Sequence, residues 1–303
     1  MLDEFLKGQP GTIKLKHNFK GFFPRLLAGN FDTLNNTCSI THTYYDCSIL
    51  NNEDAYWERE SNDLFDSSIF APVFSDNNID TSVIFYPIYS PSKFTLDLHF
   101  IDYYGNKIKS ISNYKSIDSS KTTLLKISIK EILKDNQEIS ENVKGLFLTK
   151  SWEGSNLIPN RLKFGLNIGL IRPDKVLPCN ICFNSEVGLK KTLSKSGTRK
   201  WAPLINNGNS IVIIVNTSTI KNYEWSAKIK YKIFRELDSN YLEREELIPP
   251  MAQLRISINE DQELSEFIGN GTGWIYIDSD NPFINAWYFN FSKSGVVGAD
   301  HSF

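Results

Sequence analysis

The chain is poor in the residues that most chemistry needs. Its 303 residues include four histidines, four cysteines and two methionines. No run of about 18 consecutive apolar residues occurs, so no helix of this sequence spans a bilayer. Neither charge dominates: 33 basic side chains face 35 acidic ones, for a net charge of -2. A protein that tracks phosphate backbones is normally basic or carries a basic stripe, so nucleic acid is not an expected partner. The densest basic run, Lys190, Lys191, Lys195, Arg199 and Lys200, lies among Ser, Gly and Thr and reads as a solvated linker. The nucleophile elbow Gly-x-Ser-x-Gly, a phosphate loop, a dinucleotide Gly-x-Gly-x-x-Gly and His-Glu-x-x-His are all missing. Residues 1–8 are acidic where a secretory leader is basic, and no apolar core follows them, which points to a cytoplasmic protein with reduced thiols.

Aromatic residues, by contrast, are plentiful: 20 Phe, 13 Tyr and 6 Trp. With so little net charge, this much apolar surface predicts a folded chain, and the length allows about two domains. Alternation with period two puts Phe94, Leu96, Leu98 and Phe100 on one strand face and His99 on the other. The β-branched runs 83–85 and 211–215 read as strands buried on both faces. Helix is confined to short stretches near 129–135 and 261–267, and residues 51–63 read as a polar loop. Many short strands divided by Gly/Asn turns predict β-sandwiches.

Five segments recur in order at an offset of about 130 residues, a spacing that marks an internal repeat. Phe70-Ala71-Pro72 matches Trp201-Ala202-Pro203, and each is followed by an Asn-rich turn and a β-branched run. Residues 125–129 match 254–258, Gly145-Leu146-Phe147-Leu148 matches Gly273-Trp274-Ile275-Tyr276, and Asn160…Phe164 matches Asn285…Phe289. The expected fold is all-β: two tandem β-sandwich domains, immunoglobulin-like or jelly-roll-like, arising by duplication. Residues 1–64 add strands to a first sandwich at 65–172, residues 173–194 form a linker strand and loop, and 195–303 form the second sandwich. Over 70–150 and 201–280 this order of segments resembles the tandem sandwich repeats of many uncharacterised bacterial proteins. That resemblance implies the fold and carries no catalytic residue.

Two sets of side chains are candidates for function. His42 and His301 are each followed by a hydroxyl residue and an aromatic, and each has a carboxylate near it, Asp46 and Asp300. The strand leaving the first unit, with Cys179 and Cys182, stands in the repeat where Asp300-His301 stands in the second. Imidazole, thiolate and carboxylate are the usual ligands of zinc or iron, so His42, Asp300, His301 and Cys179 form a candidate metal set. On a straight strand i and i+4 lie ~13 Å apart, too far for His42 and Asp46 to share an ion. The second set is aromatic. Tyr103 and Tyr104 fall in a hairpin turn, and Trp152 joins them as a candidate ligand contact, for sugar stacking or for a protein. The expected function is non-enzymatic: a binding or assembly protein that takes a carbohydrate or protein partner through aromatics and sheet edges. It needs no cofactor, and a homo-oligomer is among the states this allows. The alternative is a metal-dependent enzyme on a jelly-roll-like scaffold, using His42 and His301 with zinc or iron.

Overall fold

The computed structural model describes residues 27–32, 37–42, 57–59, 69–74, 78–85, 93–118, 125–153, 157–159, 163–170, 179–184, 193, 195–206, 208–236, 238–293 and 296–302. Within them the first half contains β1 (Leu27–Asp32), β2 (Thr37–His42), β3 (Trp57–Arg59), β4 (Ile69–Pro72), β5 (Ile79–Phe85), β6 (Lys93–Ile101), β7 (Lys107–Asp118) and β8 (Leu125–Ser128). Helices α1 (Ile129–Leu133) and α2 (Gln137–Asn142) follow, then β9 (Gly145–Glu153), β10 (Leu157–Pro159), β11 (Lys163–Leu170) and β12 (Cys179–Asn184). The second half contains β13 (Thr198–Ile205), β14 (Gly208–Asn216), β15 (Ala227–Arg235), β16 (Tyr241–Ile248), β17 (Gln253–Ser257), α3 (Gln262–Ile268), β18 (Thr272–Ser279), β19 (Ile284–Ser292) and β20 (Val297–His301). The chain is all-β, and none of its helices is long and apolar enough to cross a membrane among the described residues.

Four antiparallel four-stranded sheets carry the structure. In the first half they run β4-β9-β6-β7 and β12-β11-β5-β8; in the second, β13-β18-β15-β16 and β20-β19-β14-β17. Strand for strand the two orders are the same. The short helices fall at the same place as well, between β8 and β9 and between β17 and β18. All three are started by a side-chain cap, which satisfies a backbone N–H left without a helical partner. Ser128 Oγ accepts from Glu131 N–H, Asn136 Oδ1 from Ile139 N–H and Asp261 Oδ1 from Leu264 N–H.

The N-terminal strands stand apart from these sheets: β1 pairs with β2, and β3 pairs with β10. The stretch 51–63, expected as a loop, therefore includes a strand, whose partner lies far away in sequence and leaves no local mark. Segment 12–16, His17, Tyr44, Tyr45, Asp46, Cys47 and Tyr56 lie outside the described residues, as do the side chains of His42 and Trp152.

Each half has its own apolar filling. Phe94, Leu96, Leu98 and Phe100 of β6 face Val83, Phe85, Phe164 and Leu166 in the first. Ile229, Tyr231 and Ile233 of β15 face Val212, Ile214 and Ile256 in the second. Strand β14 serves both. Its Ile211, Ile213 and Val215 join the first cluster and its Val212 and Ile214 the second. A run buried on both faces is usual for parallel sheets, and here an antiparallel strand has it because two cores flank it.

The halves are joined by specific contacts. The Phe74 ring meets Phe289 edge-on at 4.8 Å and Phe291 at 5.2 Å between centroids. Tyr103, in the turn between β6 and β7, reaches across to β17. Its carbonyl accepts from Gln253 N–H at 3.2 Å, and its hydroxyl accepts from Arg255 N–H at 2.9 Å. Gly105, with φ at +87°, lets that turn close on the second half, since a Cβ there would sit 2.7 Å from the Met251 carbonyl carbon.

Candidate functional site

Strand pairing decides what the histidine and cysteine candidates can do. On β20, Asp300 lies opposite Tyr288 and His301 opposite Trp287. On β12, Cys182 lies opposite Gly165 and Cys179 opposite Ile168. Read strand for strand, Cys182 occupies the place of His301, and Cys179 occupies that of Gly298. Cys179 still approaches Asp300, because β12 packs beside β20 and its thiol donates to the Ala299 carbonyl at 3.5 Å. Burial, with Asp300 nearby, pushes this thiol up to about 11, so it stays protonated at neutral pH. The same surroundings push Tyr288 up to about 12, burial first and Asp300 second. His301 Nδ1 sits 3.3 Å from the Ser302 carbonyl oxygen, and Nε2 sits 3.8 Å from Asp300 Oδ1. The fold thus gathers Cys179, Asp300 and His301 into one neighbourhood. Yet among the described residues no three His, Cys, Asp or Glu side chains are placed to hold a metal ion.

The two tyrosines separate. Tyr103 belongs to the joint between the halves, with hydroxyl and carbonyl both taken. Tyr104 is 71% exposed and meets Tyr103 edge-on at 5.7 Å. His99, on the outer face of β6 as its alternation predicts, is held by Ser110 Oγ at 3.0 Å and Thr149 Oγ1 at 3.2 Å. Burial, then Lys107, lowers its pKa against an opposing pull from Asp97.

A larger arrangement lies on the outer face of β13-β18-β15-β16. Period two sends Ala202, Leu204, Ile229, Ile233, Ile275 and Ile277 inward, and their neighbours in sequence outward. Register then aligns the outward residues in rows across the four strands. One row reads Pro203, Trp274, Phe234, Tyr241; the next Trp201, Tyr276, Lys232, Glu243; the third Arg199, Asp278, Lys230, Glu245. Trp201 is 49% exposed, Tyr241 47% and Trp274 43%. An aromatic band therefore crosses the solvent side of a sheet whose other side is core.

The rings of this band pack against one another. Trp274 and Phe234 are parallel to 14° with centroids 5.3 Å apart, an offset stack that covers one face of each. Phe234 and Tyr241 follow at 5.5 Å, and Lys232 Nζ lies 4.4 Å over the Tyr241 ring. Below the band is a ladder of charge. Lys230 Nζ is 2.7 Å from Glu243 and 3.4 Å from Glu245, Lys232 is 3.3 Å from Glu243, and Arg199 is 3.6 Å from Asp278. Past this ladder opens a broad, shallow groove of about 1120 Å³, lined by Lys195, Lys228, Glu246, Leu247 and Asp280 among others.

No protein-family model matches the chain, and no curated protein is significantly similar to it. The site is therefore read from its own geometry. The first half offers a comparison inside the molecule. Phe70 pairs with Phe147 where Trp201 pairs with Tyr276, yet Phe70 is 8% exposed and Phe147 3%. A local difference beside Phe70 sits one row away. Pro72 faces Gly145 where Pro203 faces Trp274. A Cβ on Gly145 would lie 2.6 Å from Phe70 Cε2, so the Phe70 ring occupies the space over that glycine. In the second half an indole fills the corresponding place, and Trp201 is left in solvent.

The sequence match sets Gly145 against Gly273, whereas the registers make Trp274, opposite Pro203, the counterpart of Gly145, opposite Pro72. A slip of one residue exchanges the faces of a strand, so the sequence match hid which aromatics emerge. The signal that could have found the band was the inward alternation Ile229, Tyr231, Ile233 on β15, which forces Lys230, Lys232 and Phe234 outward.

Proposed function

We propose that this chain is a non-catalytic recognition and assembly protein, built from two copies of one sandwich unit, and that it binds protein through the outer face of β13-β18-β15-β16. The identical strand order of the two halves supports the duplication. The observation that carries the binding reading is the aromatic band, with Trp201, Tyr241 and Trp274 each more than two-fifths exposed on a rigid sheet. Tyr and Trp on an ordered surface are what interface cores are made of, because they cover area with little loss of side-chain entropy.

Protein is favoured over carbohydrate by the ring geometry. A sugar stacks on an open ring face. Trp274 has one face against Phe234, and the Tyr241 ring has Lys232 over it. Rings with a face already covered offer their edges, which fit between side chains of an opposing surface.

A photo-crosslinking amino acid at position 274, compared with one at Lys115 on β7, tests the reading in cells. Protein adducts at 274 and none at 115 are expected. Failure of position 274 to form any protein adduct, in a variant shown to be folded, would overturn it. A free-glycan ligand that protects Trp274 and Trp201 from oxidation would replace protein by carbohydrate as the class of partner.

A further inference from the structure

The partner this face fits best is a second copy of itself. We infer that the chain forms a two-fold dimer by stacking its β13-β18-β15-β16 sheet face to face on the same sheet of another molecule. This deepens the binding role proposed above and rests on it.

The argument is one of symmetry and charge. Across the face the charged residues alternate in sign strand by strand: Arg199 on β13, Asp278 on β18, Lys230 and Lys232 on β15, Glu243 and Glu245 on β16. Two molecules can stack through this face about a two-fold axis lying in the interface, either along the strands or across them. The axis along the strands reverses the strand order. In the third row, where the four strands alternate in sign, the reversal places every charge over its opposite. Arg199 then faces the partner's Glu245, and Asp278 faces the partner's Lys230. The aromatic row meets its own kind, Trp274 over the partner's Phe234 and Pro203 over the partner's Tyr241. In the row between, Lys232 lies over the partner's Tyr276 ring, a favourable cation–π placement, and Glu243 lies over the partner's Trp201. The axis across the strands would instead lay each column over itself, like charge on like. Of the two arrangements the first suits the pattern better, and it is the aligned sheet-on-sheet packing common in sandwiches.

Two further features agree. Each charge on the ladder already has a partner in its own sheet, so covering the face strands none of them, and each charge of the third row gains a second opposite charge. Four strands by the three rows measure about 19 by 20 Å, roughly 400 Å² in plan, about half of the ~800 Å² per partner of a standard stable interface before side-chain relief is added. The equivalent face of the first half could not do this, because its aromatics are buried within its own chain.

The test is a charge exchange on the full chain. In the dimer Lys230→Glu puts a glutamate over the partner's Asp278 at both symmetry-related sites. Asp278→Lys puts a lysine over the partner's Lys230 at both. Mixed together, the two variants regain both attractive contacts. Sedimentation velocity over a concentration series should show the wild type as a dimer and each variant at least tenfold weaker in self-association. Their equimolar mixture should form the dimer again. Thermal melts of each variant check that it is folded, and the rescue on mixing separates lost contact from lost structure. A wild type that stays monomeric at every concentration overturns the dimer; an adduct to another protein at position 274 would then leave the recognition role standing. A wild-type dimer that both variants retain, or that the mixture fails to restore, also overturns it, because the dimer would then use another surface.

Discussion

His99 shows how one polar side chain on an outer face acquires a consequence for stability. Burial and the nearby Lys107 hold its folded pKa below the ordinary 6.5. The unfolded chain therefore takes up the proton first as pH falls. His99 gives its full contribution above 6.5, and that contribution declines as pH drops from there through the folded pKa. Melting temperature followed across this window should fall in the wild type and fall less in His99→Gln. Equal slopes for the two proteins would mean that another group controls the change. The Asn216 side chain is a different case, fully buried and uncharged. Its amide donates to the carbonyls of Trp225 at 2.7 Å and Ile248 at 3.0 Å, and its Oδ1 accepts from the Tyr223 hydroxyl at 2.7 Å. One residue thereby ties the end of β14 to the loop before β15 and to the end of β16, meeting the need of buried polar groups for partners.

At the scale of strands, the two halves differ through Gly145 and Trp274. Gly145→Ala places a methyl against the Phe70 ring and 3.0 Å from Ile101 Cγ1. Overpacking of this kind should cost about 1–3 kcal/mol, read from the shift of the urea midpoint. The same substitution in a Phe70→Ala background should cost much less, since the clash is with that ring; an equal cost would locate the strain elsewhere. Much at this scale was legible in the sequence. The alternation of β6, the doubly buried runs 83–85 and 211–215, and the capped helices at 129 and 262 all follow from local pattern. Two features did not. Strand β3 depends on a distant partner, and the exposure of Trp201 depends on which residue of another strand lies opposite its neighbour. Trp-Ala-Pro and Phe-Ala-Pro look alike in sequence; only the register, with glycine or tryptophan beside the proline, sends one ring inward and leaves the other out. The candidate site was legible to the same degree. Exposed aromatics were expected, but their row on β13, β18, β15 and β16 was not. Cys179, Asp300 and His301 do come near one another, though by the packing of two edge strands and not by equivalent positions.

Across the whole molecule, the joint at Phe74, Tyr103 and β14 makes the halves interdependent. Separating them would expose Ile211, Ile213, Trp287, Phe289 and Phe291, all of which belong to the first half's cluster. Burial on this scale couples the unfolding of the two cores. Thermal unfolding followed by calorimetry should give one transition, with calorimetric and van't Hoff enthalpies equal; two resolved transitions would show that the halves hold independently. A fragment of residues 195–303 should aggregate, as its sheet would present an uncovered apolar face.

The double duty of β14 also bears on how this chain can change over generations. Most strands have a permissive side: on β15, the exposed Lys228 can vary in ways that the buried Ile229 beside it cannot. Along Ile211–Val215 that freedom is missing, because odd positions answer to one core and even positions to the other. The two halves differ at many positions, Gly145 and Trp274 among them, but across these five residues any change must suit both cores at once.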